Sequence, residues 1–383
     1  RVDTVHAALH IHRAAESLVM HTTPMTLRQY DAILIDECSQ FDNDLAEKLD
    51  YALDSLPQRP FIGAAADWQQ VQPVHSNGFM RHWCDLQTTI KLRTIHRTDD
   101  NELLDFLRLC RTGQPERATL FQFFRGRRFR KSLADAVAYG SERAVATGRP
   151  FMWLCVTNAG VEHINRTVLD SLGLLDDCLK HGFPADPNVG EVSRFYASPG
   201  LLVRLTRNLD KDRGFVNGAM GAVETILHQH GQTPVVFTVK LSMTGVMVLV
   251  HPVWHDRQMV LPCTYGYATT VRRAQGATYY HGCLYFDHRY PPDAGYGYVA
   301  ASRFKSKAGV YLYGKVRRTD FIPVHSAADA SNYQRRRSDE SDTDYDSSEE
   351  ESHAILYERH ANRLSLGSDG ELSDGYGSDT SLS

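Results

Sequence analysis

Two short apolar runs near the start of the chain each give way to polar residues. The first covers residues 32–35 and leads directly into Asp36 and Glu37, and the second ends shortly before Asp67. An uninterrupted apolar run of this length predicts a strand of a parallel sheet that is buried on both faces. Residues 43–56 between the runs fit a helix. The pattern therefore predicts a β-α-β unit whose strands end at one edge.

The polar residues that follow these strands are suited to nucleotide chemistry. Open α/β sheets place their functional groups at the carboxyl ends of the strands. Of two adjacent acids, one can hold Mg²⁺ while the other activates water. We therefore expect Asp36, Glu37, Asp67 and Gln70 to line one edge of the sheet. The alternative is a solvated acid pair that follows an ordinary strand. The motifs in the rest of the chain help to decide between this alternative and a nucleotide site.

Further polar motifs follow one another in a fixed order along residues 2–313. They are Thr4-Val5-His6, Asp36-Glu37-Cys38-Ser39-Gln40, Asp67-Trp68-Gln69-Gln70, the segment that ends in His96-Arg97, Val156-Thr157-Asn158, Asn208-Leu209-Asp210 with Asn217-Gly218, Thr269 to Thr278 with Gln275-Gly276, and Tyr298 to Arg303. In content and order they resemble the motifs of the RecD/PIF-type DNA helicases, the 1B group of superfamily 1. So many motifs in one order make chance agreement no serious alternative.

The resemblance implies an α/β fold with two RecA-like P-loop NTPase motor domains, the first of them partial. Residues 1–90 are then the end of the first motor domain, and residues 91–223 and 263–330 form the second. Residues 224–262 contain strand-like runs punctuated by Gly and Pro. They correspond to a small SH3-like β insertion in the family, and a plain β-hairpin extension of the sheet is the alternative.

The resemblance also implies the roles of the site residues toward ATP and Mg²⁺. Asp36 would hold Mg²⁺, Glu37 would polarise the attacking water, and Gln70 would sense the γ-phosphate. Arg97 and Arg303 would reach that phosphate from the second motor domain as arginine fingers, because a guanidinium neutralises charge on the transferring group. For Arg303 a surface salt bridge is the alternative interpretation, and for Arg97 a charge at the start of a helix.

The remaining motif positions are assigned to nucleotide and DNA contacts in the same way. Gln275 and Gly276 would lie near the nucleotide. The candidates for DNA contact are Thr4, His6, Asn158, Asn217, Thr269 and Thr278. The implied partner is single-stranded or forked DNA, with movement from 5′ to 3′.

Three departures from the family pattern affect these expectations. Ala66 stands where the family has Gly, and it is tolerated only if its φ angle is negative. Gln72 replaces the first of two prolines. The segment 271–273 replaces a His-Lys pair, so that the charge is retained while the His contact is lost.

Composition supports a folded protein without a membrane span. The chain has 383 residues, of which 42% are hydrophobic, and no apolar run approaches the roughly 18 residues of a membrane helix. Its 7 cysteines include no Cys-x-x-Cys pair, which argues against a zinc site. An odd cysteine count without a signal peptide predicts reduced thiols in an intracellular compartment, the nucleus or mitochondrion if the source is eukaryotic.

No Gly-x-x-x-x-Gly-Lys-Ser/Thr loop occurs in the sequence. That loop cradles the nucleotide phosphates, and the resembled family carries it upstream of the Thr-x-His motif. We expect an amino-terminally truncated piece, or a degenerate protein that has lost the loop, and little ATP hydrolysis by this chain alone. The alternatives to a helicase are a nucleic-acid-binding protein that does not hydrolyse ATP and a helicase domain of a mobile element's replication protein.

The chain ends in an acidic segment. Residues 331–383 contain 5 Arg and no Lys against 13 acidic residues, and too few apolar residues to form a core. We expect a disordered tail that is phosphorylated or binds a partner, and a solubilising terminus is the alternative. The serines that precede an acid by three positions are Ser341, Ser347, Ser348 and Ser368. The basic run 125–131 would touch the phosphate backbone or form a solvated face.

Overall fold

The structure is a computed structural model that describes residues 5–9, 25–73, 77–92, 95–130, 132–186, 194–255, 257–288 and 293–324. The predictions for Thr4 and for the acidic tail lie outside the described residues. For His6 the backbone is described and the side chain is not.

The elements follow the order expected of an α/β chain with one stretch rich in strands. The helices are α1 (Val5–Ala8), α2 (Asn43–Asp54), α3 (Gly78–Asp85), α4 (Asn101–Thr112), α5 (Arg117–Phe123), α6 (Leu133–Thr147), α7 (Asn158–Ser171), α8 (Leu175–His181) and α9 (Tyr296–Ala301). The strands are β1 (Ala32–Ile35), β2 (Phe61–Ala64), β3 (Arg128–Phe129), β4 (Phe151–Cys155), β5 (Phe183–Pro184), β6 (Arg194–Phe195), β7 (Leu202–Leu205), β8 (Met220–His230), β9 (Thr233–Leu241), β10 (Met247–Val250), β11 (Val253–His255), β12 (Gln258–Val260), β13 (Cys263–Tyr265), β14 (Ala268–Thr270), β15 (His281–Tyr285) and β16 (Val310–Tyr313).

The first region of the molecule is a β-α-β unit, as the sequence predicts. Strands β1 and β2 pair in parallel, and α2 lies between them in the chain. The Asp42 side chain caps α2 by accepting a hydrogen bond from the Leu45 amide at 2.9 Å. The prediction that β1 is buried on both faces was wrong, because Leu34 is 79% exposed and Phe61 on β2 is 68% exposed. Among the described residues, one face of this two-stranded sheet packs against the neighbouring core, and the opposite face is left uncovered.

A second region is built on a five-stranded parallel sheet in the order β14-β4-β15-β16-β3. Strand β4 is buried along its whole length, and its side chains alternate between two cores. Leu154 joins the core formed with α4, α5 and α9, whereas Trp153 and Cys155 join the core formed with α6 and α7. This sheet therefore has helices on both faces, which explains its nearly continuous apolar strands.

A third region is an antiparallel sheet in the order β10-β9-β8-β7-β13, and it is separate from the parallel sheet. Its core includes Phe195, Phe237 and Tyr265, with ring centroids of Phe195 and Tyr265 4.6 Å apart. This sheet also contains β7 and β13, which lie outside residues 224–262, so it is larger than the predicted insertion. The division of the chain into motor domains and an SH3-like insertion stays a prediction. No described helix combines the length and the apolar character that crossing a membrane requires.

The first and second regions are tied together at the turn that follows β2. Val71 in this turn is 0% exposed and packs into the core made by α4, α5 and α9. Gln40, from the turn after β1, donates a hydrogen bond from Nε2 to the Val71 carbonyl at 2.7 Å. The edge of the first sheet is therefore held against the second region.

Candidate nucleotide and nucleic-acid site

The two turns at the carboxyl edge of the first sheet are joined by backbone hydrogen bonds. The Ala65 amide donates to the Ile35 carbonyl at 2.8 Å, and the Cys38 amide donates to the Ala65 carbonyl at 2.9 Å. Because the parallel register continues past the strand ends, Asp36 and Glu37 lie beside the turn that carries Asp67. The structure thus brings both predicted polar turns to one edge.

Glu37 has an unusual backbone and a perturbed carboxyl group. Its φ angle is 51°, and a residue with a side chain rarely adopts this left-handed conformation. Strained backbone of this kind is concentrated at functional sites. Burial raises the pKa of Glu37 and the neighbouring charge of Asp36 raises it further, while Arg303 and Arg97 oppose the shift. A carboxylate with a raised pKa is better suited to accept a proton from water.

Asp67 organises the second turn. Its Oδ1 accepts a hydrogen bond from the Gln69 amide at 3.1 Å, and its Oδ2 accepts one from Gln70 Nε2 at 3.2 Å. The buried Ser39 Oγ accepts from the Asp67 amide at 3.3 Å. Ala66 is not among the described residues with positive φ, which agrees with the condition for replacing glycine there.

Arg303 is the most buried charged group of the site. The residue is 2% exposed, so the alternative of a surface salt bridge was wrong. Its Nε donates to the Val299 carbonyl at 3.1 Å and its Nη2 to Ser302 Oγ at 2.8 Å, but its buried Nη1 has no hydrogen-bond partner. Burial and the charge of Arg97 lower the pKa of Arg303 to about 10, while Glu37 opposes the shift.

Arg97 converges on the same place. It is partly buried, and its Nη1 donates to the Ser302 carbonyl at 3.0 Å. Two guanidinium groups at adjacent positions, one with an unpaired buried N–H, form a site that fits an anion such as a terminal phosphate. Asp36 is exposed and fits Mg²⁺, which is usually held by one or two carboxylates together with phosphate oxygens. Within the described residues no group of three metal-ligating side chains is found.

Gln275 brings the Gln-Gly motif to the second turn. Its Nε2 lies 3.4 Å from Gln70 Oε1 and 3.4 Å from the Val71 carbonyl oxygen. Gly276 follows with a φ angle of +79° and an open environment, so glycine is favoured there for its conformation and not for lack of space. The structure therefore places two predicted nucleotide-side residues, Gln70 and Gln275, in contact.

The residues that are predicted to contact DNA differ in their exposure to solvent. Asn158, Asn217 and Thr278 are exposed. Thr269 is 4% exposed, and its Oγ1 accepts a hydrogen bond from Arg204 Nη1 at 2.6 Å. The position of Thr269 within β14 of the buried parallel sheet accounts for this, and its side chain offers no exposed face to DNA.

Two other sequence expectations concern Trp68 and the basic run. Trp68 is partly buried against the core of the first region, which β1, β2, α2 and α3 form. Arg81 lies 5.7 Å from its ring centroid, and this favours packing over base stacking. Within the basic run, Arg127 donates from Nε to the Val310 carbonyl at 3.1 Å. Arg125 and Arg130 line an open pocket beside Phe121.

Sequence reasoning missed Arg111 and the part played by Tyr298. Arg111 on α4 forms two hydrogen bonds with the Asp67 carboxylate, both at 2.8 Å, and a third with the Tyr298 hydroxyl at 2.7 Å. The pattern of α4 contained a signal, because Arg111 lies four residues after the buried Leu107 and thus at the edge of the buried stripe. A charged residue at such a position requires a partner.

The sequence is similar to a known family and to a curated helicase. The family described as an AAA domain matches residues 1–127. The ATP-dependent DNA helicase PIF1 of Danio rerio is 24% identical over 321 residues, which cover 75% of this chain and 47% of the relative. The chain thus spans about half the length of that curated relative.

Solved structures of Pif1 helicases share the fold. One from Bacteroides, in complex with ADP-AlF3 and ssDNA, has a TM-score of 0.61 at 18% identity and covers 88% of this chain and 84% of its own. One from Candida albicans has a TM-score of 0.57 at 19% identity, with coverages of 82% and 78%. These likenesses confirm the RecA-like α/β fold. In the order of its motifs and in its fold, this chain resembles the PIF1-like helicases of superfamily 1B.

Proposed function

We propose that this chain forms part of an ATP-dependent DNA helicase or translocase that moves from 5′ to 3′ on single-stranded DNA. The observation that carries the proposal is the buried guanidinium of Arg303, whose unpaired Nη1 belongs to the same site as Glu37. A structural arginine with this burial would be expected to have all its donors satisfied. A donor left unpaired beside a second arginine instead fits a site that receives an anion.

The side chains divide the chemistry between them. Glu37 accepts the proton of the attacking water, for which its raised pKa suits it. Arg303 and Arg97 stabilise negative charge on the phosphoryl group as it is transferred. Asp36 would hold Mg²⁺, and the bound ion would neutralise charge on the phosphate oxygens. Gln70, fixed by Asp67 and in contact with Gln275, orients groups at the terminal phosphate.

The exposed asparagines and threonine of the motifs are proposed to contact the DNA backbone. Asn158 is exposed and begins α7, directly after Thr157, whose Oγ1 caps the helix by accepting a hydrogen bond from the Gly160 amide. Asn217 and Thr278 are exposed on other elements. Forked DNA is a second substrate by similarity to the structure described as two coordinating Pif1 helicases unwinding forked dsDNA, which has a TM-score of 0.60 at 16% identity and coverages of 88% of this chain and 83% of its own.

A second candidate function is nucleic-acid binding without hydrolysis. It is favoured by one observation, that the 383 residues contain no phosphate-loop motif. The two candidates predict the same fold and the same DNA contacts, and they differ only in turnover.

The deciding experiment measures ATP hydrolysis with and without single-stranded DNA, for the 383-residue chain and for the full product of its gene. We expect DNA-stimulated hydrolysis by the full product, reduced about 10²- to 10⁴-fold by Glu37→Gln because the general base is lost. Glu47→Gln, on the exposed face of α2, is the control and should hydrolyse ATP like the wild type. Hydrolysis that Glu37→Gln leaves intact would reject this mechanism, and no hydrolysis by any form would favour binding alone.

A further inference from the structure

We propose that Arg111 is a positioning residue that holds Gln70 in place and links it to the helix next to Arg303. The inference rests on the proposed function, because its effect is on ATP hydrolysis. Arg111 itself touches neither the predicted metal ligand Asp36 nor the predicted base Glu37 through any hydrogen bond of the structure. Its action is therefore indirect and passes through Asp67.

Arg111 and Asp67 form a two-pronged ion pair. Nη1 of Arg111 lies 2.8 Å from Asp67 Oδ2, and Nη2 lies 2.8 Å from Asp67 Oδ1. Parallel hydrogen bonds of this kind fix the plane of the carboxylate as well as its position. Asp67 Oδ2 also accepts from Gln70 Nε2 at 3.2 Å, so the orientation of the carboxylate determines where the Gln70 amide points.

The same guanidinium reaches the helix beside the second arginine. Its Nη1 donates to the Tyr298 hydroxyl at 2.7 Å, and the guanidinium carbon lies 5.5 Å from the centre of the Tyr298 ring. Burial raises the pKa of Tyr298, which keeps the hydroxyl protonated. Tyr298 is on α9, and the next residue, Val299, supplies the carbonyl that binds Arg303. One side chain thus connects the Gln70 turn with the Arg303 segment.

The burial of the pair separates it from an ordinary surface ion pair. The side chains of Arg111 and Asp67 are 36% and 22% exposed. Arg108 on the same helix pairs with Asp105, and those side chains are 66% and 73% exposed. Exposed pairs of this kind contribute little to stability. Because Arg108 lies almost one turn from Arg111 on the same helix, it offers a matched control.

Lysine cannot replace Arg111 in this geometry. An ammonium group presents one point of charge, whereas the fork of Arg111 contacts both oxygens of Asp67 and the hydroxyl of Tyr298. Arg111→Lys keeps the charge and the aliphatic stem but loses the fixed plane of the carboxylate. We expect Gln70 to be misplaced in this variant while ATP binding through the other groups is kept.

The test uses the full product of the gene and measures kcat and KM for ATP at saturating single-stranded DNA. Arg111→Lys and Arg111→Met are each expected to lower kcat by about 10- to 100-fold, the scale of a small misplacement of a reacting group. KM for ATP should change by less than about threefold, because Gln70 orients the phosphate and contributes little to nucleotide affinity. Arg108→Lys and Arg108→Met should both retain the wild-type kcat.

A double-variant comparison distinguishes positioning from a general loss of structure. Asp67→Asn should lower kcat about as much as Arg111→Lys, and the two together should cost no more than either alone. Thermal unfolding of each variant shows how much of the protein is folded at the assay temperature. The inference is overturned if the wild type hydrolyses ATP and Arg111→Met keeps its kcat, or if kcat falls only as far as the folded fraction does. A wild type without DNA-stimulated hydrolysis rejects the proposed function, and the inference with it.

Discussion

The acidic and the basic sides of the candidate site are built in opposite ways. Asp36 and Glu37 follow a two-stranded sheet whose Leu34 side chain is 79% exposed, and local hydrogen bonds hold their turns. Arg303 instead lies 2% exposed next to a five-stranded sheet that is covered on both faces. Asp36 is thus exposed and Glu37 half-buried, and local hydrogen bonds hold their turn, whereas the guanidinium is fixed by packing.

The difference has an energetic consequence for Arg303. Because burial lowers the pKa of Arg303 to about 10, the folded chain binds this proton less tightly than the unfolded chain does. The charged side chain therefore costs stability at neutral pH, and this cost is relieved only as the pH rises past about 10. An anion bound beside Nη1 would offset the same cost. The burial of Arg303 thus lowers the stability of the fold, and the proposed binding of phosphate would offset that loss.

The comparison also shows that the acidic side depends on the second region. Val71 is buried in the core of that region, and Arg272 donates a hydrogen bond from Nη1 to the Gln72 carbonyl. Together with the Arg111–Asp67 pair, these contacts fix the turn that carries Gln70. The second region therefore shapes both sides of the site.

The largest effect is expected from Arg303→Met. ATP hydrolysis by the full gene product should fall by about 10³- to 10⁵-fold, the contribution of an arginine finger. The thermal midpoint of the nucleotide-free variant should equal or exceed that of the wild type, because a buried charge with an unpaired donor is replaced by an apolar chain. The Ser302 hydroxyl still donates to the Val299 carbonyl, so no new donor is left unpaired.

Arg108→Met is the control for Arg303→Met, since Arg108 is an exposed arginine whose loss should change neither hydrolysis nor the thermal midpoint. The comparison between the two sides breaks down if Arg303→Met unfolds several degrees below the wild type. In that case the guanidinium would stabilise the fold, and its burial would have a structural purpose.

The sequence predicted the components of the site better than their contacts. Asp36, Glu37, Gln70, Arg97 and Arg303 all stand at recognisable motif positions, and the structure brings them to one place while their roles stay predictions. The parallel β-α-β pairing also follows from local pattern, because strand length and apolar character are properties of neighbouring residues.

What escaped prediction depends on contacts between distant parts of the chain. The partners of Arg111 are separated from it by 44 and 187 residues, and no local pattern specifies either pairing. The exposure of Leu34 and the burial of Thr269 depend in the same way on what packs against each strand. A single sequence gives the apolar character of a strand and does not give its neighbours.

A smaller effect is expected from Val71→Ala, which tests how firmly the second region holds the acidic side. Removing two methyl groups from a fully buried position should lower the free energy of unfolding by about 2 kcal/mol. The control is Val145→Ala on α6, where the side chain is 85% exposed and the change should lie within about 0.5 kcal/mol. Urea unfolding of both variants measures the difference. Equal effects would show that the turn after β2 is not anchored in the core formed by α4, α5 and α9.

The smallest effect is expected from Leu34→Thr on β1 and Phe61→Thr on β2. Both side chains are largely exposed, so little apolar surface is removed from contact, and threonine favours the extended backbone of a strand. The free energy of unfolding in urea should change by no more than about 0.5 kcal/mol for either variant. Ile35→Thr, at a position on β1 that is 7% exposed, should cost distinctly more, because a hydroxyl would be buried in the first core. A loss for Leu34→Thr as large as that for Ile35→Thr would mean that both faces of the first sheet are covered in the protein as it exists in solution. The two sides of the site would then rest on equally buried sheets, and the contrast between them would reduce to the burial of Arg303 alone.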